Sequence, residues 1–252
     1  MTPGQAALLA GAGFVAGTLN AVAGGGSLIS FPALLAAGLG SVPANVTNTV
    51  ALWPGYVGGA IGYRRELSQD RRQVVALCLT GLVGAAAGSV LLLTTPADVF
   101  TALVPWLVLA ATALFALQPW VSAWVSRRAR MSGRDPSGPP LIIGVLLASV
   151  YGAYFGAGLG IILLAVIGSL LSINLQQVNA YKNALSMSIN TLAMVFFAIF
   201  GPVHWLPVLI MAATSLLGGF LGAKVARRLP AHGLRIAVIG FGTVVAIVLF
   251  VR

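Results

Sequence analysis

The sequence predicts an all-α polytopic membrane protein of two inverted repeats, each a glycine-broken helical hairpin or broken helix pair plus three transmembrane helices. Three observations carry this. Of 252 residues, 59% are hydrophobic and only 7% charged, with mean hydropathy +1.00, outside the range of soluble globular domains. The chain also echoes itself: TGLVGAAAGSVLLLTTP from Thr80 matches TSLLGGFLGAKVARRLP from Thr214 in Thr, Leu, two Gly and the closing Pro. Upstream, ANVTN ending at Asn48 meets NAYKN ending at Asn183, so the spacings are 134 and 135 residues. Duplication of an apolar half-chain is a common construction of secondary transporters, whose sites form where the halves meet. The third observation is the charge pattern, which sets the direction of each half.

Apolar runs divide the chain into ten pieces. The first half holds 5–22, 26–38, 44–63, 73–94 and 98–121; the second holds 141–155, 157–171, 176–200, 205–226 and 234–251. Glycine splits the leading pair of each half, in AGGGS around Gly25 and in GAGLG around Gly158. A helix of 13 to 15 residues, the length of the shorter pieces, rises about 20–23 Å, short of a ~30 Å hydrocarbon core. Each pair is therefore one broken crossing or a re-entrant hairpin with its glycines inside the membrane.

Eleven of the fourteen Lys and Arg residues fall in three short stretches. Arg64, Arg65, Arg71 and Arg72 mark one cytoplasmic loop; Arg127, Arg128, Arg130 and Arg134 mark the central linker; Arg227, Arg228 and Arg235 mark a third. The loop near Asp98 and the turn Gly201–His204 carry no Lys or Arg and are expected outside. The repeat thus sets a cytoplasmic loop opposite an external one twice over, which inverts one half against the other. Strict inversion puts both termini outside, and hairpins suit the short half-helices. The division is 1–126 as first membrane repeat, 127–140 as cytoplasmic basic linker and 141–252 as second repeat, in a multi-pass protein of the cell inner membrane.

Net charge +10 would suggest nucleic acid in a soluble protein, but here it marks topology, so no nucleic-acid partner is expected. MTPGQAALLAG has no basic n-region, so no cleaved leader is expected. The single Cys78 allows no internal disulfide and reads as a packed thiol.

The residues that bear chemistry gather at the breaks and after them. AGGGS follows Asn20 without the Gly-Lys-Ser/Thr of a nucleotide loop. Glycines at membrane depth can serve close helix packing. Breaks at matching places point instead to freed N–H groups that bind an anion, aided by the positive end of a half-helix near Ser27. Gly24, Gly25, Gly26 and Ser27 in one half, with Gly156 and Gly158 in the other, are the candidate positions.

Lys182 stands five to seven residues inside the apolar stretch LQQVNAYKNALSMSINTLAMVFFAIF. It either snorkels to the headgroups or faces the repeat interface as a desolvated cation, where intramembrane charge is functional. Its repeat partner is Thr47, so the charge belongs to one half only. Asn45, Thr47, Asn48 and Thr49 in one copy, and Asn179, Asn183, Ser186, Ser188 and Asn190 in the other, surround these positions. Asn183, Ser186 and Asn190 follow Lys182 at i+1, i+4 and i+8. Burying so many polar groups needs partners, and an oxyanion could be one.

The acids Glu66, Asp70, Asp98 and Asp135 all lie in loops or at segment ends. A cation carrier or acid-driven pump would normally hold one at depth. His204 and His232 are isolated at segment ends, so no metal or cofactor is implied. Trp53, Trp106, Trp120, Trp124 and Trp205 read mostly as interface anchors.

Taken together, G-x-x-N-A-V-A-G-G-G-S-L-I-S-F-P-A-L-L from Gly17, N-V-T-N-T-V-A-L-x-P-G from Asn45, and the later F-G-A-G-L-G and Y-K-N resemble the sulfite exporter TauE/SafE family. The resemblance covers nearly the whole chain. It implies a bacterial or archaeal inner-membrane carrier of sulfite, sulfonates such as sulfoacetate, or related organic anions. It maps the family's breaks onto Gly24–Ser27 and Gly156–Gly160, and its polar helix positions onto Thr47, Asn48, Lys182 and Asn183. The expected partners are a small anion and membrane lipids, with a homodimer left open. Two alternatives stand beside the anion carrier. One is a flippase for lipid-linked or larger anions. The other is an intramembrane enzyme, for which Ser27, Ser186 or Ser188 would lack a base at membrane depth.

Overall fold

The computed structural model describes residues 1–22, 25–62, 67, 71–131, 138–171, 173–225 and 231–251. Gly24 and most of the arginines used to assign topology lie outside the described residues or have side chains that do. Ten α-helices and no strands occur among the described residues: α1 Pro3–Val22, α2 Ser27–Ala36, α3 Ser41–Gly62, α4 Arg71–Thr94, α5 Ala97–Met131, α6 Pro139–Tyr154, α7 Leu159–Leu170, α8 Leu175–Phe200, α9 Trp205–Val225 and α10 Ala231–Val251. In a hydrocarbon solvent every backbone group must be satisfied within its own segment, and helices do this.

Local signals set several ends. Gly38, at φ +95, closes α2 in a Schellman turn, its N–H donating to Leu35 O and that of Leu39 to Leu34 O. Asn174 and Gln177 form a reciprocal capping box that opens α8. One boundary differs from expectation. α5 does not stop near residue 121 but continues through Pro119 to Met131, taking the first linker arginines into the helix. Cations near a helix C-terminus meet its negative end favourably, and Arg127 Nε donates to Ala123 O at 3.4 Å.

Three helical stretches among the described residues are long and apolar enough to cross a membrane: Arg71–Thr94, Ala97–Arg127 and Leu175–Phe200. Of the four helices beside the glycine breaks, α1 has 20 residues, and the other three are short, 10 residues in α2, 16 in α6 and 12 in α7. At about 1.5 Å per residue they span roughly 15–24 Å, less than a ~30 Å core.

Small residues set the packing. α1 lies parallel to α9, with Gly13 against Met211 and Gly17 against Ser215, where a Cβ would fall on the Ser215 carbonyl. α4 lies parallel to α6, with Gly84 against Leu146 and Gly88 against Val150. Gly13/Gly17 and Gly84/Gly88 are both G-x-x-x-G pairs, whose missing side chains let backbones touch where lipid supplies no hydrophobic drive. α3 and α8 pack antiparallel. Val46 meets Gly201, while Trp53, seven residues further along α3, donates its indole N–H to Thr191 Oγ1 at 2.9 Å. Trp53 is thus a helix-to-helix clasp rather than an interface anchor, whereas Trp106, Trp120, Trp124 and Trp205 are exposed. α9 also packs on α3, α4 on α8, and α5 on α10.

Candidate functional site

Break one joins α1 to α2. Gly25 adopts φ +98, a region that disfavours any Cβ, and Gly26 sits so close to α1 that a Cβ would overlap the Ala16 carbonyl. Asn20 Oδ1 accepts from Gly26 N at 2.8 Å. Gly26 O takes the Ile29 and Ser30 amides at 3.0 and 3.1 Å. The Ser30 hydroxyl lies within reach of Gly26 O at 3.1 Å and of Asn48 Oδ1 at 2.5 Å, and its one proton serves them in turn. Asn48 Nδ2 donates to Ser27 Oγ at 3.2 Å. Ser27, Ser30 and Asn48 are all buried and meet one another, while Asn20 Nδ2 is buried without a hydrogen-bond partner among the described residues.

Break two joins α6 to α7 and is held by one side chain of its own, Tyr151. Phe155 and Gly156 both return their N–H to Tyr151 O, and the Tyr151 hydroxyl donates to Ala157 O at 2.7 Å. Gly156 and Gly158 adopt φ +77 and +79. The residues that follow, Leu159, Gly160, Ile161 and Ile162, bring no side-chain donor to the start of α7. Lys182 is there instead. A Cβ on Gly160 would lie 3.7 Å from Lys182 Cδ, so the lysine stem crosses the first turn of α7 where glycine leaves room. Lys182 is half-buried, and no hydrogen bond or ion pair joins it to another described residue. An ammonium and the positive end of a half-helix repel one another. An anion between them would turn that conflict into two favourable interactions.

The two breaks meet. Phe31 of α2 packs edge-on against Phe155 of break two, with ring centroids 5.4 Å apart. Gly25 lies on Phe115, and Gly158 on Ala111 and Leu114, so one left-handed glycine from each break rests on the same turn of α5. Asn45 Nδ2 donates to Tyr154 O at 2.8 Å, tying α3 to the end of α6.

The expected residues therefore divide. Asn20, Gly25, Gly26, Ser27 and Asn48 form break one; Gly156, Gly158 and Lys182 belong to break two. Thr47 is engaged elsewhere, accepting the His204 N–H at 3.1 Å and holding the turn before α9. Asn190 Nδ2 donates to Ser186 O within α8 at 2.8 Å, and Asn183 is half-buried one residue beyond Lys182. Asn45 stood in the sequence only among the polar groups near Lys182, Gly160 only as the end of the second break, and Ser30 and the Ala111–Phe115 turn were not singled out. Ser30 was within reach, one helical turn after Ser27 in an otherwise apolar α2. The others act through contacts between distant segments.

A family model described as "Sulfite exporter TauE/SafE" matches residues 9–249. The chain belongs to the TauE/SafE family. Its relatives include a "Probable membrane transporter protein" of Haemophilus influenzae, 30% identical over 86% of this chain and 84% of that protein. They also include "Probable membrane transporter protein ORF9" of Sinorhizobium sp, 29% identical over 86% of this chain and 80% of that one. "Probable membrane transporter protein YfcA" of Escherichia coli K12 is 30% identical over 85% of this chain and 77% of its own length. No solved structure matches the chain. TauE/SafE proteins are membrane transporters by these names, and the apolar helices of this member are those of a membrane protein.

Proposed function

We propose that this TauE/SafE protein is a secondary transporter of small anions, sulfite or sulfonates such as sulfoacetate, across a bacterial or archaeal inner membrane. The observation that carries the reading is Lys182 laid over Gly160 at the positive end of α7, a cation without a partner among the described residues. Sulfite and sulfonate head groups are compact, multiply accepting and negative. That suits one ammonium and the Gly160 N–H, left over among the described residues where Leu159, Ile161 and Ile162 donate to Gly156 O and Gly158 O.

The same reading takes the halves as inverted repeats, α1–α5 against α6–α10. Their counterparts α3 and α8 pack antiparallel. Exchanging the halves turns α1 on α9 into α6 on α4, and α3 on α9 into α8 on α4, and all four pairs are packed. The 64–72, 122–140 and 227–235 stretches then face the cytoplasm and both termini face out.

The direct test is uptake or counterflow of radiolabelled sulfite and sulfoacetate by purified protein in liposomes, with sulfate and acetate as competitors. Saturable counterflow of a sulfur oxyanion supports the reading; no counterflow of any tested anion defeats it. Cysteines placed at Met1 and Arg252 should both label from outside, and labelling of only one would overturn the inversion.

A further inference from the structure

Break two has a second end. Asn45 is 1% exposed, and its Oδ1 is buried with no hydrogen-bond partner. The amide cannot be turned round to cure this. Its Nδ2 is needed by Tyr154 O at 2.8 Å, and a flipped amide would set two acceptors face to face. The orphaned oxygen therefore lies beside the C-terminus of α6, the negative end of a half-helix. The last carbonyls of that helix have no onward turn to accept from, because Phe155 and Gly156 fold back to Tyr151 O. Gly152 O and Ala153 O receive no backbone N–H from beyond the helix among the described residues.

We propose that the end of α6 holds a sodium ion, with Asn45 Oδ1 as its side-chain ligand and Tyr154 O and the neighbouring last-turn carbonyls as its backbone ligands. Oxygen ligands suit a hard cation. The only described carboxylate is Asp98, exposed at the start of α5, so the site is neutral and fits a monovalent ion better than a divalent one. Amide and carbonyl oxygens do not titrate near neutral pH, so this site takes a metal ion rather than a proton. Break two would then bind a cation at the C-terminal end of α6 and an anion at the N-terminal end of α7. As coupling of the two ions the inference rests on the anion-transport reading; as a sodium site it stands without it.

The test uses full-length protein in detergent with no sulfite or sulfonate present. Thermal unfolding is followed in sodium, potassium or choline chloride at equal ionic strength, and binding of radiolabelled sodium is measured directly. Sodium should raise Tm saturably by about 2–4 °C, as a ligand of the folded state does, and unlabelled sodium, but not potassium, should displace the label. Asn45→Leu should lose both effects, while Asn45→Asp should bind sodium about tenfold more tightly through the added charge. If Asn45→Leu does not fold, label binding by the unaltered protein and by Asn45→Asp decides. Absence of label binding, equal stabilisation by choline, or a sodium effect that persists in Asn45→Leu would overturn the site and leave a buried water as the partner of Asn45. Sodium binding without anion counterflow would defeat the transport reading alone; counterflow indifferent to sodium, with no label bound, would defeat this inference alone.

Discussion

Break one and break two are both left-handed glycine turns between helices, yet their polar groups are arranged differently. In the first, Ser27, Ser30 and Asn48 occupy one another and Gly26 O, Asn20 Oδ1 takes the Gly26 N–H, and Asn20 Nδ2 is left buried without a partner among the described residues. In the second, the left-handed glycines are followed by aliphatic residues, and the nearby polar groups Lys182 and Asn45 Oδ1 lack protein partners among the described residues. A buried polar group without a partner costs about 1–3 kcal/mol. Both breaks carry that cost at one side-chain atom, Asn20 Nδ2 in the first and Asn45 Oδ1 beside the second, and break two adds a Lys182 ammonium without a partner among the described residues. Both breaks use left-handed glycines, and the few side chains around each decide how its polar groups are met.

The largest expected effect tests the rigid side. Gly26→Val would drive a side chain into the Ala16 backbone, where no flexible group can yield. A loss of ~3 kcal/mol or more is expected from such overpacking, seen as failure to recover folded protein in detergent or as a steep fall in Tm. Normal folding of this variant would mean that α1 and α2 can separate, and break one would no longer be the fixed half. Next comes Asn48→Leu, which strands the Ser27 hydroxyl and leaves Ser30 only Gly26 O. It should cost ~2 kcal/mol of stability while the folded fraction retains its anion affinity. A variant that melts normally but no longer binds anion would move the ligand to break one.

Lys182→Met is the converse. It keeps the stem on Gly160 and removes the charge, so stability should hold while sulfite or sulfonate binding weakens about tenfold, ~1.4 kcal/mol. Lys182→Arg should restore binding poorly, because a planar fork does not replace a compact ammonium. Isothermal titration with sulfite checks both. Unchanged affinity in Lys182→Met would return the lysine to the headgroups and leave the Gly160 N–H alone with the anion.

How much of this was legible in the sequence differs between the breaks. The ten helices follow from apolar run length because lipid permits little else, and Gly25 and Gly158 stood out as glycines splitting such runs. Lys182 announced itself as a lone cation in an apolar stretch. What sequence could not show was pairing. Nothing near Asn48 says that it bonds Ser30, nor near Thr47 that it holds His204, and Trp53 has the composition of an anchor while serving as a clasp to Thr191. The meeting of both breaks on the Ala111–Phe115 turn joins three segments far apart in the chain. The end of α5 was misjudged for a local reason: arginines read as loop, although at a helix C-terminus they favour continuation.

The smallest expected effect asks whether the left-handed turn of break two matters for itself. Around Gly158 there is space, since a Cβ would lie 3.5 Å from Leu114 Cδ1, an ordinary contact. The cost of Gly158→Ala is therefore conformational, about 1 kcal/mol for holding an L-residue at φ +79. Gly158→Asn should cost less, because asparagine visits that region more readily. The penalty can be met by strain or by rotating the turn, and the two outcomes read differently. If the turn holds, Tm falls slightly more for Ala than for Asn and anion affinity is kept. If the turn relaxes, the α7 N-terminus swings from Lys182, Tm is nearly unchanged and affinity drops in both variants. The first result makes break two a preformed receptor. The second makes its geometry part of what the anion must hold in place, and the contrast with the first break would then be one of stiffness as well as chemistry.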